Sequence, residues 1–369
     1  MAKAKFSKAL TVFLAIVCLL VGCCIGFVAM AIYDASKTHS DEEPHVLVEG
    51  ELQIHFLELG NKYTGDCTYI KAGDVDVLID AGSRASSAET IAAYIDQYVT
   101  DGKLEYVIIT HAHQDHYAGF AKTEGSIFDL YECENIIDFG TQTNQEEKGT
   151  NMYSKYLAER DAEIAKGADY YPAPDHAGET FALDNGVELT ILNSYYYYNK
   201  AASENDYSVC TLFTYGSYKY LFTGDLEEDG EAYLIDAAYN DPALLEDVHL
   251  YKAGHHGSKT SSSAEFLEVI SPEIVCVCCC AGSPEYTKIN DNMFPTQQFI
   301  DRVAQYTDKV YVTTLCVDYD AGTFTSMNGN ITVVTTAQGI EVICSNDDRV
   351  LKEWEWFQNK RKCPDAWKD

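Results

Sequence analysis

The sequence predicts an α/β sandwich that follows one N-terminal membrane-spanning helix. Strand-like apolar runs alternate with amphipathic helical patterns over residues 51–345. The apolar run 106–109 leads directly into Thr110-His111-Ala112-His113-Gln114-Asp115-His116. Open α/β sheets usually place their functional residues in such loops, at the carboxyl edge of the strands. The uncharged run 9–32 exceeds the roughly 20 residues that cross a bilayer.

Strands are predicted where residues are apolar or alternate, and helices where apolar residues recur every three or four positions. The predicted strands are 53–59, 67–72, 75–79, 106–109, 136–139, 187–192, 209–215, 219–223, 248–252, 274–280, 309–315, 323–325, 331–334 and 340–344. Gly216-Ser217 and Asn328-Gly329 predict two hairpins. The predicted helices are one capped by Ser86 or Ser87 and ended by Gly102, then 151–166, 226–238, 263–270 and 296–306.

The N-terminus predicts export of the rest of the chain. Lys3, Lys5 and Lys8 precede the apolar run and favour a cytoplasmic N-terminus of residues 1–8. Residues 9–32 are then a membrane anchor and 33–50 a linker. Residues 51–345 form the main globular domain, and 346–369 a terminal helix. Two alternatives stay open. A lipoprotein would be lipidated at Cys23, and a signal peptide would be cleaved after 29–31.

The net charge limits the substrates that the protein could bind, and the cysteine positions indicate core residues and possible disulfides. The net charge of −32 disfavours strong binding of duplex DNA, which requires lysine and arginine on the binding face. Of the 13 cysteines, Cys276, Cys278, Cys279 and Cys280 fall in one apolar run and are interpreted as core residues. The remaining cysteines of the domain could form disulfides after export, with pairing open.

The histidine-rich loop indicates a metal site. His111 and His113 are two residues apart, so they point the same way on an extended segment. Asp115 and His116 lie beyond the turn and could face a second centre. Imidazole and carboxylate ligands suit zinc, manganese or iron.

These residues resemble the His-x-His-x-Asp-His motif of the metallo-β-lactamase superfamily. Leu78-Ile79-Asp80-Ala81-Gly82 is similar to its first motif, and Phe222-Thr223-Gly224-Asp225 to the segment that carries its bridging aspartate. Residues 55–60, 221–231 and 252–258 together resemble the hydrolase domain of ComEC competence proteins. Only one membrane span is predicted, so the resemblance does not imply DNA import. It implies an αββα sandwich with two divalent ions, zinc or alternatively manganese.

The resemblance also implies a ligand set. One ion takes His111 and His113, and the other takes Asp115, His116 and His255, with Asp225 between them. Asp80 orients a histidine. Asp115 and His256 are the catalytic candidates. Three roles stay open for His256: it donates a proton to the leaving group, it contacts the substrate, or it is structural.

One position departs from the family pattern. Many members supply another histidine before the bridging aspartate, whereas the only histidine in that interval here, His176, comes too early in the chain. The segment 205–208 stands at the expected place. Either Asp206 completes the ligand set of the first ion, or that ligand set stays open and binds the ion more weakly. Lys252 and Ser258 either shape their loop or contact a phosphate. The four tyrosines 195–198 either pack over the core or form an aromatic wall near the cleft.

The predicted reaction is phosphodiester hydrolysis by a metal-bridged hydroxide. The chain contains no Gly-x-Ser-x-Gly segment for a covalent route. The strongly acidic composition favours a small or wall-linked phosphodiester outside the membrane. Two alternatives remain: hydrolysis of a lactone, thioester or β-lactam, and a non-enzymatic surface protein that retains the metal site. No protein partner is indicated.

Overall fold

Two eight-stranded sheets form the centre of the computed structural model, which describes residues 51–149 and 151–368. The strands are β1 (Leu52–Phe56), β2 (Thr68–Ala72), β3 (Val75–Ile79), β4 (Lys103–Ile108), β5 (Glu132–Asp138), β6 (Asp169–Pro172), β7 (Thr180–Ala182), β8 (Val187–Ile191), β9 (Thr211–Tyr215), β10 (Tyr218–Phe222), β11 (Leu250–Lys252), β12 (Ile274–Ala281), β13 (Val310–Asp318), β14 (Thr323–Ser326), β15 (Ile331–Thr336) and β16 (Gly339–Cys344). The first sheet has the order β16-β15-β1-β2-β3-β4-β5-β6, and the second β14-β13-β12-β11-β10-β9-β8-β7.

Each sheet is parallel over four strands and antiparallel elsewhere. The parallel strands are β3 to β6 in the first sheet and β10 to β13 in the second. Parallel neighbours end at the same edge, so the loops after β3 and β4 lie together, as do those after β10 and β11.

Helices cover the outer faces of the sheets. They are α1 (Ser87–Ile95), α2 (Gln114–Tyr117), α3 (Ile127–Leu130), α4 (Met152–Lys166), α5 (Ala173–His176), α6 (Glu228–Leu234), α7 (Pro242–Leu245), α8 (Ala264–Ile270), α9 (Gln297–Val303) and α10 (Glu355–Lys360). Along β1, His55 faces α1, where its Nδ1 lies 3.0 Å from the Tyr94 hydroxyl. The next residue, Phe56, stacks on Phe222 of the second sheet, with ring centroids 6.2 Å apart. Successive residues of one strand therefore face a helix and the other sheet.

The cysteine-rich strand β12 shows the same alternation in the second sheet. Ile274, Cys276 and Cys278 pack into the core between the sheets. Val275 and Val277 pack into a second cluster with apolar residues of α8 and α9. The cysteines of β12 are buried thiols, which agrees with their interpretation as core residues.

The predicted αββα sandwich is therefore confirmed. The predicted membrane-spanning run 9–32 lies outside the described residues. Among the residues that the structure describes, no helix combines the length and apolar character needed to cross a bilayer.

Four predicted helices are shorter than expected. The helix expected to end at Gly102 is Ser87–Ile95, and the one predicted over 296–306 is Gln297–Val303. The helix predicted over 226–238 is limited to α6, because Asp225 and the two residues after it stay in the loop that carries the functional residues. The predicted terminal helix is limited to α10. Arg361 follows it with an extended backbone (φ −127°, ψ 155°), and Leu351, Phe357 and Trp367 pack into the second core cluster. The strands β6 and β7 and the four-residue helices were not predicted, because they are too short to show a periodic pattern.

Candidate metal centre

The ends of four strands bring polar side chains to one edge of the sandwich. Asp80 directly follows β3, and the histidine-rich loop follows β4. Asp225 and the pair His255-His256 follow β10 and β11 in the second sheet. The carboxyl edges of both parallel segments thus supply the predicted residues.

Asp66 reaches the same edge from the start of a strand and was missed by sequence reasoning. It lies just before β2, which runs antiparallel to β3 and pairs Thr68 with Ile79. Its backbone N–H donates to the Asp115 carbonyl at 3.1 Å. The available signal was the turn-like segment 61–66 between two predicted strands, which lies at the edge of Asp80 because β2 runs antiparallel to β3.

Asp66, His116, Asp225 and His256 form a buried cluster that could bind a metal. One ligand atom of each lies within 4.8 Å of the others. The His116 Nε2 atom is 3.2 Å from Asp225 Oδ2, and the His256 Nε2 atom is 3.4 Å from the same oxygen. Two imidazoles therefore converge on one carboxylate oxygen.

Hydrogen bonds on the opposite side of each ring orient these imidazoles. His116 Nδ1 lies 2.7 Å from Asp80 Oδ2, and His256 Nδ1 lies 2.9 Å from the Cys278 carbonyl oxygen. A carbonyl and an ionised carboxylate only accept hydrogen bonds, so Nδ1 carries the proton in both rings. Each Nε2 points toward Asp225 and offers a lone pair once a metal has displaced its proton, which is the orientation that metal-binding histidines need.

The lone pairs in the cluster are not satisfied by protein donors. His116 Nε2, His256 Nε2 and Asp225 Oδ1 are buried and have no hydrogen-bond partner among residues 51–149 and 151–368. Leaving such atoms unpaired costs roughly 1–3 kcal/mol each. A divalent cation would satisfy all three, so the residues present fit a bound metal.

Asp80 lies where a residue that orients a histidine would be expected. Besides His116, its carboxylate accepts from the Thr110 backbone N–H at 2.9 Å and the Thr110 hydroxyl at 2.8 Å. Burial raises the pKa of Asp80, and the contact with His116 opposes that rise.

Asp115 stands at the outer side of the cluster. Its Oδ2 lies 3.4 Å from His256 Nε2 and accepts a hydrogen bond from the Tyr286 hydroxyl at 2.9 Å. Tyr286 is 58% exposed, so this bond marks the boundary between the cluster and solvent. Nothing in the sequence around Tyr286 indicated the contact, because 171 residues separate it from Asp115.

The other flank of Asp225 holds the remaining predicted histidines. His111 Nε2 lies 3.0 Å from His113 Nδ1 and 3.9 Å from Asp225 Oδ2. His255 Nε2 is also 3.9 Å from Asp225 Oδ2. His255 Nδ1 lies 3.1 Å from the Thr260 hydroxyl, which donates to Glu227 at 2.9 Å.

The adjacent histidines His255 and His256 exchange the positions expected from the sequence. The expectation placed His255 beside Asp115 and His116, whereas His256 lies there and His255 lies on the flank of His111. Both residues have left-handed backbones, with φ of 48° and 55°. Two such residues in succession turn the chain sharply and send the two side chains to different sides of Asp225. This conformation costs roughly 1–2 kcal/mol per residue.

The structure does not bring Asp206 to the cluster. Its Oδ1 accepts from the Glu227 backbone N–H at 3.3 Å, and burial raises the pKa of Asp206 to about 6. The short 3-10 helix Glu204–Tyr207 instead turns Asn205 toward His255, with Asn205 Nδ2 3.4 Å from His255 Nδ1. One residue of offset on a helix is enough to face a different neighbour.

Lys252 and Ser258 have different surroundings. Lys252 is 3% exposed and forms an ion pair with Asp66, and its Nζ lies 3.9 Å from Asp225 Oδ1. The Ser258 hydroxyl lies 3.1 Å from that of Thr260, within its own loop. Lys252 therefore faces the buried side of the cluster, and Ser258 shapes the loop after the histidine pair.

The four-tyrosine run packs mainly against other tyrosines. Tyr195 stacks on Tyr233 with ring centroids 4.1 Å apart, and Tyr197 is buried. Tyr198 is 57% exposed. These contacts favour the packing interpretation of this run over a wall near the cluster.

Carboxylates dominate the charge of the cluster. Burial alone would raise the pKa of Asp225, but the charges of His116 and His256 hold it below its ordinary value. For His256, burial favours the neutral ring, yet Asp225 and Asp66 raise its pKa well above the ordinary value. Without a metal the cluster therefore attracts protons, which a divalent cation would replace.

Comparison with known proteins supports the family resemblance over part of the chain. Residues 60–124 match the model of the metallo-beta-lactamase superfamily. The chain is 36% identical over 72 residues to ComE operon protein 3 of Bacillus subtilis (strain 168). That match covers 20% of this chain and 9% of the relative, so the chain spans less than a tenth of it. The predicted resemblance to the superfamily is confirmed for the matched segment.

Solved structures align with this chain at low sequence identity and low TM-score. The metallo-beta-lactamase fold protein YhfI from Bacillus subtilis aligns over 75% of this chain and 100% of its own, with 13% identity and a TM-score of 0.41. Human tRNase Z, short form, aligns over 62% of this chain and 92% of its own, with 14% identity and a TM-score of 0.36. A diphosphatase of the PhnP family aligns over 61% of this chain and 85% of its own, with 11% identity and a TM-score of 0.33. At such values these likenesses do not bear on activity.

Proposed function

We propose that this protein is a metal-dependent hydrolase that cleaves phosphodiester bonds, in a domain held outside the cell by an N-terminal anchor. The observation that carries the proposal is the convergence of imidazole lone pairs on Asp225, from rings whose opposite nitrogens are already occupied. The anchor is inferred from the sequence of residues 9–32.

The residues around Asp225 would hold two divalent ions, zinc or alternatively manganese. Asp115, His116 and His256 would hold one, and His111, His113 and His255 the other. Two such ions supply a hydroxide nucleophile at neutral pH and polarise the bond that breaks. Asp80 keeps His116 in the required tautomer, and Lys252 balances the charge of Asp66.

Two basic side chains that contact the Tyr63 ring, Arg84 and Lys62, support a phosphate-containing substrate in an otherwise acidic protein. Arg84 Nη2 lies 3.8 Å from Glu285, the neighbour of Tyr286, and the Arg84 guanidinium lies 3.5 Å from the centre of the Tyr63 ring. Lys62 lies 4.2 Å from the centre of the Tyr319 ring. A small or wall-linked phosphodiester fits this limited positive charge better than long duplex DNA.

The test is metal analysis of the full chain in detergent, followed by hydrolysis assays after loading with zinc or manganese. We expect about two ions per chain and cleavage of bis-p-nitrophenyl phosphate. Asp225→Asn should reduce turnover by on the order of 100-fold or more, because Asp225 would itself be a ligand and even an outer partner of a ligand is worth about 10–100-fold. His176→Gln is the matched control, because His176 lies on the surface beside Glu179.

Two outcomes would contradict the proposal. One is turnover of nitrocefin or a lactone with none of any phosphodiester, which would assign another bond. The other is full activity of Asp225→Asn, which would exclude the cluster as the active site.

A further inference from the structure

One loop closes the outer side of the cluster. Residues 282–296, here called the entrance loop, connect β12 to α9. The loop is closed at its base by a hydrogen bond from the Gly282 N–H to the Phe294 carbonyl, at 2.8 Å. Tyr286 of this loop donates to Asp115 at 2.9 Å. The Phe294 ring lies 5.8 Å from the rings of both His255 and His256.

The C-terminal tail holds this loop through Arg361. The Arg361 guanidinium donates to the carbonyls of Met293 at 2.8 Å and Pro295 at 3.1 Å, both in the entrance loop. It is 7% exposed, although burying a charge is costly unless hydrogen bonds compensate it. Burial lowers the pKa of Arg361 to about 10, so the side chain stays charged near neutral pH. An arginine buried against loop carbonyls acts as a positioning group.

Further contacts connect the tail to both ends of the loop. Asn290 donates to the Lys360 carbonyl at 2.9 Å, and Gln297, just beyond the loop, donates to the Lys362 carbonyl at 2.8 Å. At the other end, Trp356 packs against Gly282, where an added Cβ would lie 2.6 Å from Trp356 Nε1. Gly282 also has φ of +74°, so this close approach needs a glycine.

We propose that the C-terminal tail, residues 354–362, is part of the working active site: Arg361 positions the entrance loop so that Tyr286 contacts Asp115 and borders the substrate entrance. The proposal rests on the function proposed above. Arg361 touches none of the metal-binding candidates and acts through the loop, whereas Tyr286 provides the contact itself.

A double-mutant cycle on the full chain tests this coupling. Arg361→Met and the conservative Arg361→Lys should each lower kcat/KM for bis-p-nitrophenyl phosphate about 10-fold or more, because small misplacements of active-site groups have large effects. Tyr286→Phe should lower it similarly. In the Tyr286→Phe background, Arg361→Lys should cost less than about 3-fold, since the contact is already lost. Arg349→Met, five residues before this tail, 49% exposed and paired with Asp347, is the control and should leave kcat/KM unchanged.

Hydrogen exchange and metal content supply readouts that do not depend on activity. In Arg361→Lys, backbone amides of residues 285–294 should exchange faster while those of β12 stay protected, and the number of bound ions should not change. Equal losses from Arg361→Lys in the two backgrounds, unchanged exchange of the loop, or loss of metal would each overturn the inference.

The two proposals fail in different ways. If the wild-type protein hydrolyses no substrate, the proposed function fails, and hydrogen exchange still decides whether Arg361 holds the loop. If the wild type is active and the Arg361 variants match it, this inference fails and the proposed function stands.

Discussion

The contact between His255 and Glu227 allows a sharp prediction about metal binding. The His255 Nδ1 atom lies 3.1 Å from the Thr260 hydroxyl and 3.5 Å from Glu227 Oε1. Burial alone would raise the pKa of Glu227, but hydrogen bonds from His255, Asn205 and Thr260 lower it to about 2. Glu227 is therefore ionised at neutral pH and favours the tautomer in which His255 Nε2 can bind a metal.

Glu227→Gln should weaken one of the two bound ions and leave the other unchanged. The substitution keeps the shape of the side chain and removes its charge. Outer partners of this kind are worth about 10–100-fold in metal affinity, or roughly 1.4–2.7 kcal/mol. Asp80→Asn, which alters the partner of His116, should weaken the opposite ion by a similar factor.

The assay is competition between the full chain and a chromophoric chelator, which resolves two successive zinc affinities. Glu228→Gln is the matched control, because this neighbouring glutamate is exposed and pairs with Arg302 at 2.7 Å. The reasoning is refuted if Glu227→Gln and Asp80→Asn weaken the same ion, or if Glu227→Gln binds both ions as tightly as the control does.

Three further predictions concern stability. Lys252→Met should destabilise the fold by about 3–5 kcal/mol in urea unfolding, because the buried Asp66 loses its lysine partner. Adding Asp66→Asn should recover part of the loss, and an additive double variant would contradict this. Burial raises the pKa of Glu231 from 4.5 to about 7, so the folded state binds the Glu231 proton more tightly than the unfolded state does. The contribution of Glu231 to the free energy of unfolding should therefore fall by up to about 3 kcal/mol as the pH rises from about 4.5 to 7. Glu231→Gln should flatten that part of the pH profile in thermal melts, and an unchanged slope would count against it. Chelation should lower the melting temperature, with a loss of about 2.7 kcal/mol if zinc had been present at 100 times its dissociation constant; identical melts with and without chelator would argue that no metal stabilises the fold.

Local patterns in the chain were enough to predict the main sandwich and several of its site residues. Apolar runs of three or four residues, 77–79, 106–109 and 220–222, end at or just before Asp80, the His111 loop and Asp225, and such short runs bounded by turn residues are typical of buried strands. Because parallel strands end at a common edge, the position of these residues after their strands predicted that they would meet. The cysteines of β12 followed from the same logic, since a small apolar side chain is tolerated on both faces of a buried strand.

Other features depended on contacts between distant segments. Asp66 stands beside the cluster because β2 runs antiparallel to β3, and its partner Lys252 comes from the other sheet. The different directions of His255 and His256 follow from two left-handed backbones in succession, a conformation that is uncommon for any residue other than glycine. The expected terminal helix gave way to an extended Arg361 because its hydrogen-bond acceptors lie in a loop more than sixty residues earlier.

Side-chain periodicity along one segment thus established which strands are buried and which polar residues end them, because hydrophobic burial acts on each segment separately. The pairing of each imidazole and carboxylate with a partner, and the contact between tail and entrance loop, required the folded chain. Such contacts depend on distances of about 3 Å between residues far apart in sequence, which only the packing of the two sheets sets.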